Sequence, residues 1–378
     1  MAAVPRRLDL AFIGGGINSA VGASHFGAIQ IDGRFRLAAG AFSRNPETNA
    51  RTGDVWRVAP QRIYADYRQL IEAEAGRIDA VCLLTPSPDH ERQICELFAA
   101  GIPVISEKPV ALDLDGIARI RAIMDPEKHY LAAIFNYTGY PMLRELKARA
   151  ERGDLGRIHQ IMVEMPQESF SRPPDIAGKA APIQHWRMHD GKVPMMCLDL
   201  GTHLHSLIHF ITGEDAVEVM GEYRKTKLYP DLVGEAHMLA RYPSGMLASF
   251  WFTKTAIGHR NGLRIRLYGE KASAEWYQFE PERLTMSLVS GDNVILDRAS
   301  DNLVARQPQY NRMKPGHPSG FIEAFANYYL DIADDLEGRA EGRRNPNVFG
   351  IDEAAAGLAL FEAAGRSSES GKWETIAS

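Results

Sequence analysis

The sequence has few cysteines, and the three that occur, Cys82, Cys95 and Cys197, are scattered without a CxxC pair. Such a set excludes a disulfide framework and predicts core thiols in a reducing cytoplasm. The chain also lacks any apolar run near the roughly 18 residues of a membrane span, and its first residues lack the apolar core of a secretory signal. A net charge of -5 without a basic block argues against nucleic acid as a partner.

The length of 378 residues exceeds one ordinary core and predicts two domains. In residues 1–137, short apolar runs alternate with amphipathic helical patterns, which is typical of a parallel sheet covered on both faces. We therefore expect an α/β fold there, a doubly wound Rossmann domain. Residues 138–378 contain several predicted strands joined by short turns, together with predicted helices over 141–151, 198–211, 321–336 and 352–367. The C-terminal helices are candidates to pack back on the first domain. This pattern predicts an α+β domain with a mainly antiparallel sheet.

A glycine turn, Gly14-Gly15-Gly16, follows the first predicted strand and opens a helix. This is the context that the dinucleotide-binding fingerprint requires. In that interpretation Gly14 permits the tight turn, and Gly16 lets the main chain approach a pyrophosphate. Ile17 and Asn18 begin the helix, whose free N–H groups attract that anion. The alternative is a glycine turn with a purely structural role.

Two positions depart from the usual fingerprint. Ser19 replaces the third glycine and is small enough to allow fairly close helix packing. The acid that holds the adenosine ribose of NAD is absent after the second strand, where Ser43 and Arg44 follow instead. These two side chains suit a 2′-phosphate, whereas the alternative is a solvated arginine in an ordinary loop. The sequence therefore predicts NAD(P) as cofactor and favours NADP over NAD.

A lysine stands at the carboxyl end of the short apolar strand predicted for 104–106, within Glu107-Lys108-Pro109. Nucleotide-binding α/β sheets bind their ligands at this end of the strands. A lone lysine is more often a surface residue. Together with the glycine turn, however, Lys108 indicates a hydride-transfer site.

A second candidate group lies on the helix predicted for 198–211, where Asp199 and His203 are four residues apart and share one face. A histidine can relay or hold a proton beside an alcohol, and a carboxylate can orient it. The alternative is a packed histidine that is hydrogen-bonded to Asp199. A metal site at His203, His205 and His209 is disfavoured because these side chains project from different faces and no HExxH motif is present, so we expect no metal.

These segments, in this order, resemble the Gfo/Idh/MocA family of NAD(P)-dependent sugar and polyol oxidoreductases over nearly the whole chain. The resemblance rests on Gly14-Gly15-Gly16, Thr85-Pro86 with His90, Glu107-Lys108-Pro109, Asp199-x-Gly201-x-His203, Gly316-His317-Pro318 and the closing segment from Ser367 to Trp373.

The resemblance implies a Rossmann domain followed by a domain whose large open sheet often forms the oligomer interface. We therefore expect a homodimer or homotetramer and a small carbohydrate substrate. It further implies that Lys108 contacts the reacting hydroxyl and that Asp199 and His203 complete a proton-handling triad. Whether Lys108 or His203 accepts the proton stays open.

The resemblance also implies cofactor contacts and substrate contacts around this triad. The cofactor residues implied, besides those of the glycine turn and Ser43-Arg44, are Thr85, Pro86, His90, Glu107, Lys108, Trp186 and Arg187. The substrate residues implied are Asn136, Tyr137, Asp199 and His203.

Two departures bear on the substrate, because Ser206 stands where many members carry a second Asp and 137–140 replaces their usual basic residues. The substrate is therefore not expected to be a plain inositol or glucose. Two alternatives to a dehydrogenase remain: an NAD-dependent glycosidase of the same fold, and a cofactor-binding regulator without turnover.

Overall fold

The structure, a computed structural model, describes residues 6–171 and 184–377. The chain divides into two compact units. The first runs to Gly139 and resumes over Phe321–Ala354, and the second comprises Tyr140–Gly320 and the residues from Ala355 onward. The expected division lies at residue 137, and the structure adds the later segment Phe321–Ala354 to the first unit.

A five-stranded parallel sheet forms the centre of the first unit, in the order β2-β1-β3-β4-β5. Numbered in chain order, its strands are β1 (Leu8–Gly14), β2 (Phe35–Ala41), β3 (Ala80–Leu84), β4 (Val104–Ser106) and β5 (Leu131–Ala133). Its helices are α1 (Ala20–Ile31), α2 (Pro46–Val55), α3 (Tyr67–Glu74), α4 (His90–Ala99), α5 (Leu114–Ile123) and α8 (Phe321–Gly338). This confirms the predicted Rossmann-like α/β fold.

The strands of this sheet are apolar along their length, since helices cover them. All five residues of β3 are buried, and so are Leu10 and Phe12 of β1. Helix α8 packs against α1, and its Tyr328 hydroxyl donates to the Ala133 carbonyl oxygen at 2.7 Å. All these strands run in the same direction, so the ends of β1, β3 and β4 meet at one carboxyl edge.

A nine-stranded sheet dominates the second unit, in the order β13-β12-β11-β10-β6-β9-β8-β7-β14. Its strands are β6 (Ile158–Pro166), β7 (Glu218–Lys225), β8 (Val233–Arg241), β9 (Leu247–Thr253), β10 (Arg264–Gly269), β11 (Ala272–Tyr277), β12 (Leu284–Leu288), β13 (Asn293–Leu296) and β14 (Glu374–Thr375). Its helices are α6 (Pro141–Arg152), α7 (Thr202–Thr212) and most of α9 (Ile351–Ser370). Only the pair β6–β9 is parallel within this sheet, which confirms the mainly antiparallel prediction.

Alternation along the strands gives the second sheet one buried face. In β6, Ile161 and Val163 are buried, whereas Met162 and Glu164 on the other face are partly exposed. Helix α7 packs against β6 on the covered side. The residues before α7 form a π-helical turn over Cys197–Gly201, so the segment predicted as one regular helix begins with wider spacing.

The sequence pattern missed one helix and three strands of the structure, namely α2, β12, β13 and β14. Helix α2 is hydrophilic, although Asn45 caps it and Pro46 occupies its first turn. Strands β12 and β13 are short and carry mostly exposed residues. Among the described residues, no helix is both long enough and apolar enough to cross a membrane.

Candidate functional site

The glycine turn ends β1 in a conformation that favours glycine. Gly14 has φ +82° and Gly15 has φ +70°, both in the left-handed region. A Cβ on Gly14 would lie 2.8 Å from the Leu84 carbonyl oxygen, so a side chain here would collide with the end of β3. At Gly16 a Cβ would lie 3.2 Å from the Phe42 oxygen. The turn therefore requires glycine, as the fingerprint interpretation predicts for Gly14.

The close packing of α1 involves a different residue from the one expected. Ser19 caps α1, because its hydroxyl oxygen accepts the Gly22 N–H at 3.2 Å. A Cβ on Gly22 would lie 1.8 Å from the Gly15 carbonyl oxygen. Gly22 is thus the residue whose lack of a side chain lets α1 approach the turn, and Ser19 serves as the cap of the helix.

The main-chain donors of the turn are partly used within the fold. The Gly16 N–H donates to the Phe42 oxygen at 3.2 Å, and the Ile17 N–H donates to Thr52 Oγ1 at 3.1 Å. The first turn of α1 contains no acidic residue. The main-chain N–H groups of this first turn have no carbonyl acceptor within the helix. Ile17 and Asn18, which were expected to begin the helix, lie in a turn before its cap, Ser19. This turn and the N-terminus of α1 suit an anion such as a pyrophosphate.

The loop after β2 is ordered by α2. Asn49 Oδ1 accepts the Phe42 N–H at 2.8 Å and the Ser43 N–H at 3.3 Å. Ser43 Oγ in turn accepts the Asn45 N–H at 3.1 Å, and Arg44 is exposed. The Ser43 hydroxyl thus helps to shape the loop, and the contact of Ser43 and Arg44 with a 2′-phosphate stays a prediction.

Glu107 lies in a cluster that the sequence did not indicate. Its Oε1 is 2.8 Å from His25 Nε2, and its Oε2 accepts the Lys108 main-chain N–H at 3.1 Å. The fully buried His25 ring reaches the Tyr329 hydroxyl with Nδ1 at 2.6 Å. Cys82 Sγ lies 3.3 Å from that hydroxyl. The only signal in the sequence for a role of His25 was that this titratable residue stands in a helix that otherwise has no charged side chains.

The charges in this cluster support one another. Burial lowers the pKa of His25, but Cys82 and Glu107 more than offset that effect and raise this pKa to about 9. Burial raises the pKa of Glu107, but the hydrogen bond from His25 and the charges of His25 and Lys108 hold it below its usual range. Both carboxylate oxygens of Glu107 are engaged inside the protein, so Glu107 fixes the main chain at Lys108. A direct contact of Glu107 with the cofactor stays a prediction.

His90 joins two loops at the carboxyl edge. Its Nδ1 lies 2.8 Å from the Pro109 oxygen and its Nε2 lies 2.9 Å from the Thr85 oxygen. Burial lowers the pKa of His90, despite these carbonyl groups, and a neutral ring can donate to only one of them. The ring thus holds the segment after Lys108 against Thr85-Pro86. Cofactor contacts by Thr85, Pro86 and His90 stay predictions.

Asn136 and Tyr137 follow β5 in a short 3-10 helix, Asn136–Gly139, and both are buried. Asn136 Nδ2 has no hydrogen-bond acceptor within the part of the chain that the structure describes. Buried amides normally have partners, so this donor suits an acceptor atom of a ligand. The Tyr137 ring packs against Phe321 with a centroid distance of 6.0 Å.

In the second unit, Asp199 lies between two cations. Its Oδ2 accepts from Lys254 Nζ at 2.6 Å, and its Oδ1 is 3.2 Å from Arg187 NH1. Asp199 belongs to the π-helical turn and His203 to the first turn of α7, where His203 is buried. The sequence predictions missed Lys254, although it directly follows the apolar strand β9, as Lys108 follows β4.

The loop before this turn supplies two expected residues. Trp186 and Arg187 lie in a 3-10 turn, His185–Met188, with the Arg187 guanidinium 4.5 Å from the centre of the Trp186 ring. The segment 167–194, which contains these residues, includes residues 172–183, which lie outside the described residues. The structure thus brings Arg187 to Asp199, and Glu107 to the main chain of Lys108. The triad of Lys108, Asp199 and His203 stays a prediction.

Two family models match this chain. Residues 8–135 match the GFO_IDH_MocA model, an oxidoreductase family with an NAD-binding Rossmann fold, and residues 143–275 match the GFO/IDH/MocA C-terminal domain. The uncharacterized oxidoreductase YfiI of Bacillus subtilis (strain 168) is 28% identical over 383 residues, which covers 97% of this chain and 96% of the relative.

Solved structures are similar over the same length. An inositol dehydrogenase homolog from Azotobacter vinelandii, complexed with NADH and myo-inositol, has a TM-score of 0.87 at 26% identity and covers 98% of both chains. An oxidoreductase from Sinorhizobium meliloti has a TM-score of 0.83 at 30% identity, and the match covers 97% of this chain and 99% of the other chain.

Proposed function

Because the chain belongs to the GFO/IDH/MocA family of oxidoreductases with an NAD-binding Rossmann fold, we propose that it transfers hydride between a nicotinamide cofactor and a sugar, polyol or sugar derivative. The reacting group is a hydroxyl or carbonyl. The single observation that carries the proposal is the carboxyl edge of the first sheet, where the glycine turn follows β1 and Lys108 follows β4. The similarity to an inositol dehydrogenase homolog supports the substrate class.

The residues of the first unit fit a dinucleotide. The glycine turn and the α1 N-terminus would hold the pyrophosphate, and the buried Asn136 amide offers a donor to a ligand. When bound, the nicotinamide ring supplies the redox chemistry by exchanging hydride with the substrate carbon. Ser43 and Arg44, with no acid beside them, favour NADP over NAD in this proposal.

The protein has to move the hydroxyl proton as the carbonyl forms. We assign this task to Lys108 and His203: one accepts the proton and the other stabilises the negative charge that develops on oxygen. Glu107 fixes the main chain that carries Lys108. Asp199, paired with two cations, provides a fixed negative charge next to the helix that carries His203. The expected homodimer or homotetramer stays a prediction.

The substitution Lys108→Ala tests this proposal. Without the ammonium group, turnover should fall about 100-fold to 10,000-fold, while the affinity for NAD(P)H changes little. Turnover is followed by NAD(P)H absorbance with a panel of sugars, inositols and sugar acids, and affinity is followed by calorimetry. Lys128→Ala, which removes an exposed lysine, is the matched control.

Three outcomes would contradict the proposal. Unchanged turnover in Lys108→Ala would remove this lysine from the chemistry. Cofactor binding without turnover on the whole panel would favour a regulator instead. Product release without net NAD(P)H accumulation would point to the glycosidase.

A further inference from the structure

A cavity of about 320 Å³ lies within the second unit, beside the Asp199 carboxylate. Lys254 and Arg187 line it, and Asp190 is the acidic residue on its wall. The rest of the wall is polar at Ser169 and Gln184, and otherwise apolar. The apolar lining residues are Phe170, Met195, Met196, Leu232 and Val233.

The Lys254 ammonium has little contact with water. Its side chain is only 10% exposed, and Nζ lies 5.2 Å from the centre of the Phe170 ring. A charged amine in such a position needs negative partners. Asp199 provides one, at 2.6 Å, but shares its charge with Arg187. Among residues 6–171 and 184–377, two cations therefore contact this one carboxylate.

The carboxylate of Asp190 already accepts hydrogen bonds from the main chain. Its Oδ1 accepts the Met195 N–H at 2.8 Å, and its Oδ2 accepts the Val233 N–H at 2.7 Å. Both oxygens hold main-chain segments together, so Asp190 shapes the cavity wall.

In the part of the chain that the structure describes, Lys254 and Arg187 thus carry more hydrogen-bond donors than Asp199 has oxygens to accept them. An ammonium has three N–H donors and a guanidinium has five, whereas Asp199 has two oxygens, one facing each cation. Arg187 Nε is also directed at Gln184 Oε1, at 3.4 Å. A carboxylate is the ligand group that satisfies such donors best, since it neutralises charge and accepts several hydrogen bonds.

We propose that Lys254 and Arg187 bind a carboxylate of the substrate, so that the protein acts on a sugar acid. This inference rests on the proposed function and narrows its substrate class. The competing explanation is that Lys254 only positions Asp199, in which case neutral and acidic substrates would depend on it equally.

Matched pairs of probes separate the two explanations. D-gluconate and D-glucitol differ at one end of the chain, carboxylate against hydroxymethyl, and D-glucuronate and D-glucose form a second such pair. Binding to the full chain, in the presence of NAD(P)H, is measured by calorimetry. Turnover with NAD(P) gives kcat and KM separately.

We expect the protein to bind the acid of at least one pair roughly tenfold or more tightly than its neutral partner. Lys254→Met should remove most of that preference, because it should weaken binding of the acid far more than binding of its neutral partner. Lys254→Arg keeps the charge and should keep the preference. Lys271→Met, at an exposed lysine of the same unit, is the control.

An equal loss for acid and neutral probes in Lys254→Met would overturn the inference and leave Lys254 as a positioning residue. Absence of any preference for the acids in the unchanged protein would overturn it as well. Acid binding that depends on Lys254, but without NAD(P)-dependent oxidation, would contradict the proposed function and still support a carboxylate site at Lys254 and Arg187.

Discussion

The pair formed by His25 and Glu107 should make stability depend on pH in a defined direction. We consider His25→Gln, which keeps a hydrogen-bond donor near Glu107 but removes the positive charge. The pKa of His25 rises to about 9 in the folded protein, from an ordinary value of 6.5. For a fully buried group, a rise of this size corresponds to roughly 3 kcal/mol. Because glutamine retains part of the hydrogen bonding, we expect a loss of about 1–3 kcal/mol.

The sign of the effect follows from proton binding. The folded protein holds the His25 proton more tightly than the unfolded chain, so this stabilisation is complete below about pH 6.5. It disappears as the pH rises through about 9. The pKa of Glu107 is lowered, so its contribution is present above its ordinary range and is lost only in acid.

The assay is urea unfolding of both proteins, followed by circular dichroism, at a series of pH values between about 5.5 and 9.5. The difference in free energy of unfolding should be greatest near the acidic end and small near the alkaline end. His237→Gln is the matched control, because His237 also contacts a glutamate, at 3.0 Å, but is half exposed. A difference that stays constant, or grows, with rising pH would refute the reasoning.

Two further predictions concern the cofactor. Gly22→Ala places a Cβ where it would lie 1.8 Å from the Gly15 oxygen, so we expect α1 to shift. The affinity for NAD(P)H, measured by calorimetry, should then fall at least about tenfold. Gly27→Ala is the control, because it lies in the same helix and its Cβ would have its nearest neighbour at 3.6 Å. Arg44→Ala should lower kcat/KM for NADP by roughly tenfold and leave the value for NAD nearly unchanged, and equal effects on both cofactors would remove Arg44 from 2′-phosphate recognition.

The sequence predicted the parts of the site that depend on local order along the chain. A glycine turn between a strand and a helix, and a lysine where an apolar strand ends, are visible without knowledge of tertiary contacts. Lys254 carries the same strand-end signal as Lys108 and could have been found by it. The role of Gly22 was not predicted, because the closest contact between α1 and the turn lies three residues beyond Ser19.

Other parts depend on contacts between distant positions. The ring of His25 meets a tyrosine 304 residues away in sequence, and no periodic pattern connects them. Helix α2 was missed because its packing face is small and polar, with Asn49, Thr52 and Gly53 buried. The π-helical turn at Asp199 was not predicted, because such turns are rare and helical periodicity does not distinguish them from a regular helix.

The return of the chain to its first unit has a consequence for dissecting this protein. A fragment that stops at Gly139 would retain the glycine turn and Lys108 but lose Tyr329, the hydroxyl partner of His25. It would also lose Tyr328, whose hydroxyl bonds the last strand of the sheet. Any transplant of the nucleotide-binding half into another protein must therefore carry two separate stretches of sequence, the second of them encoded far downstream of the first.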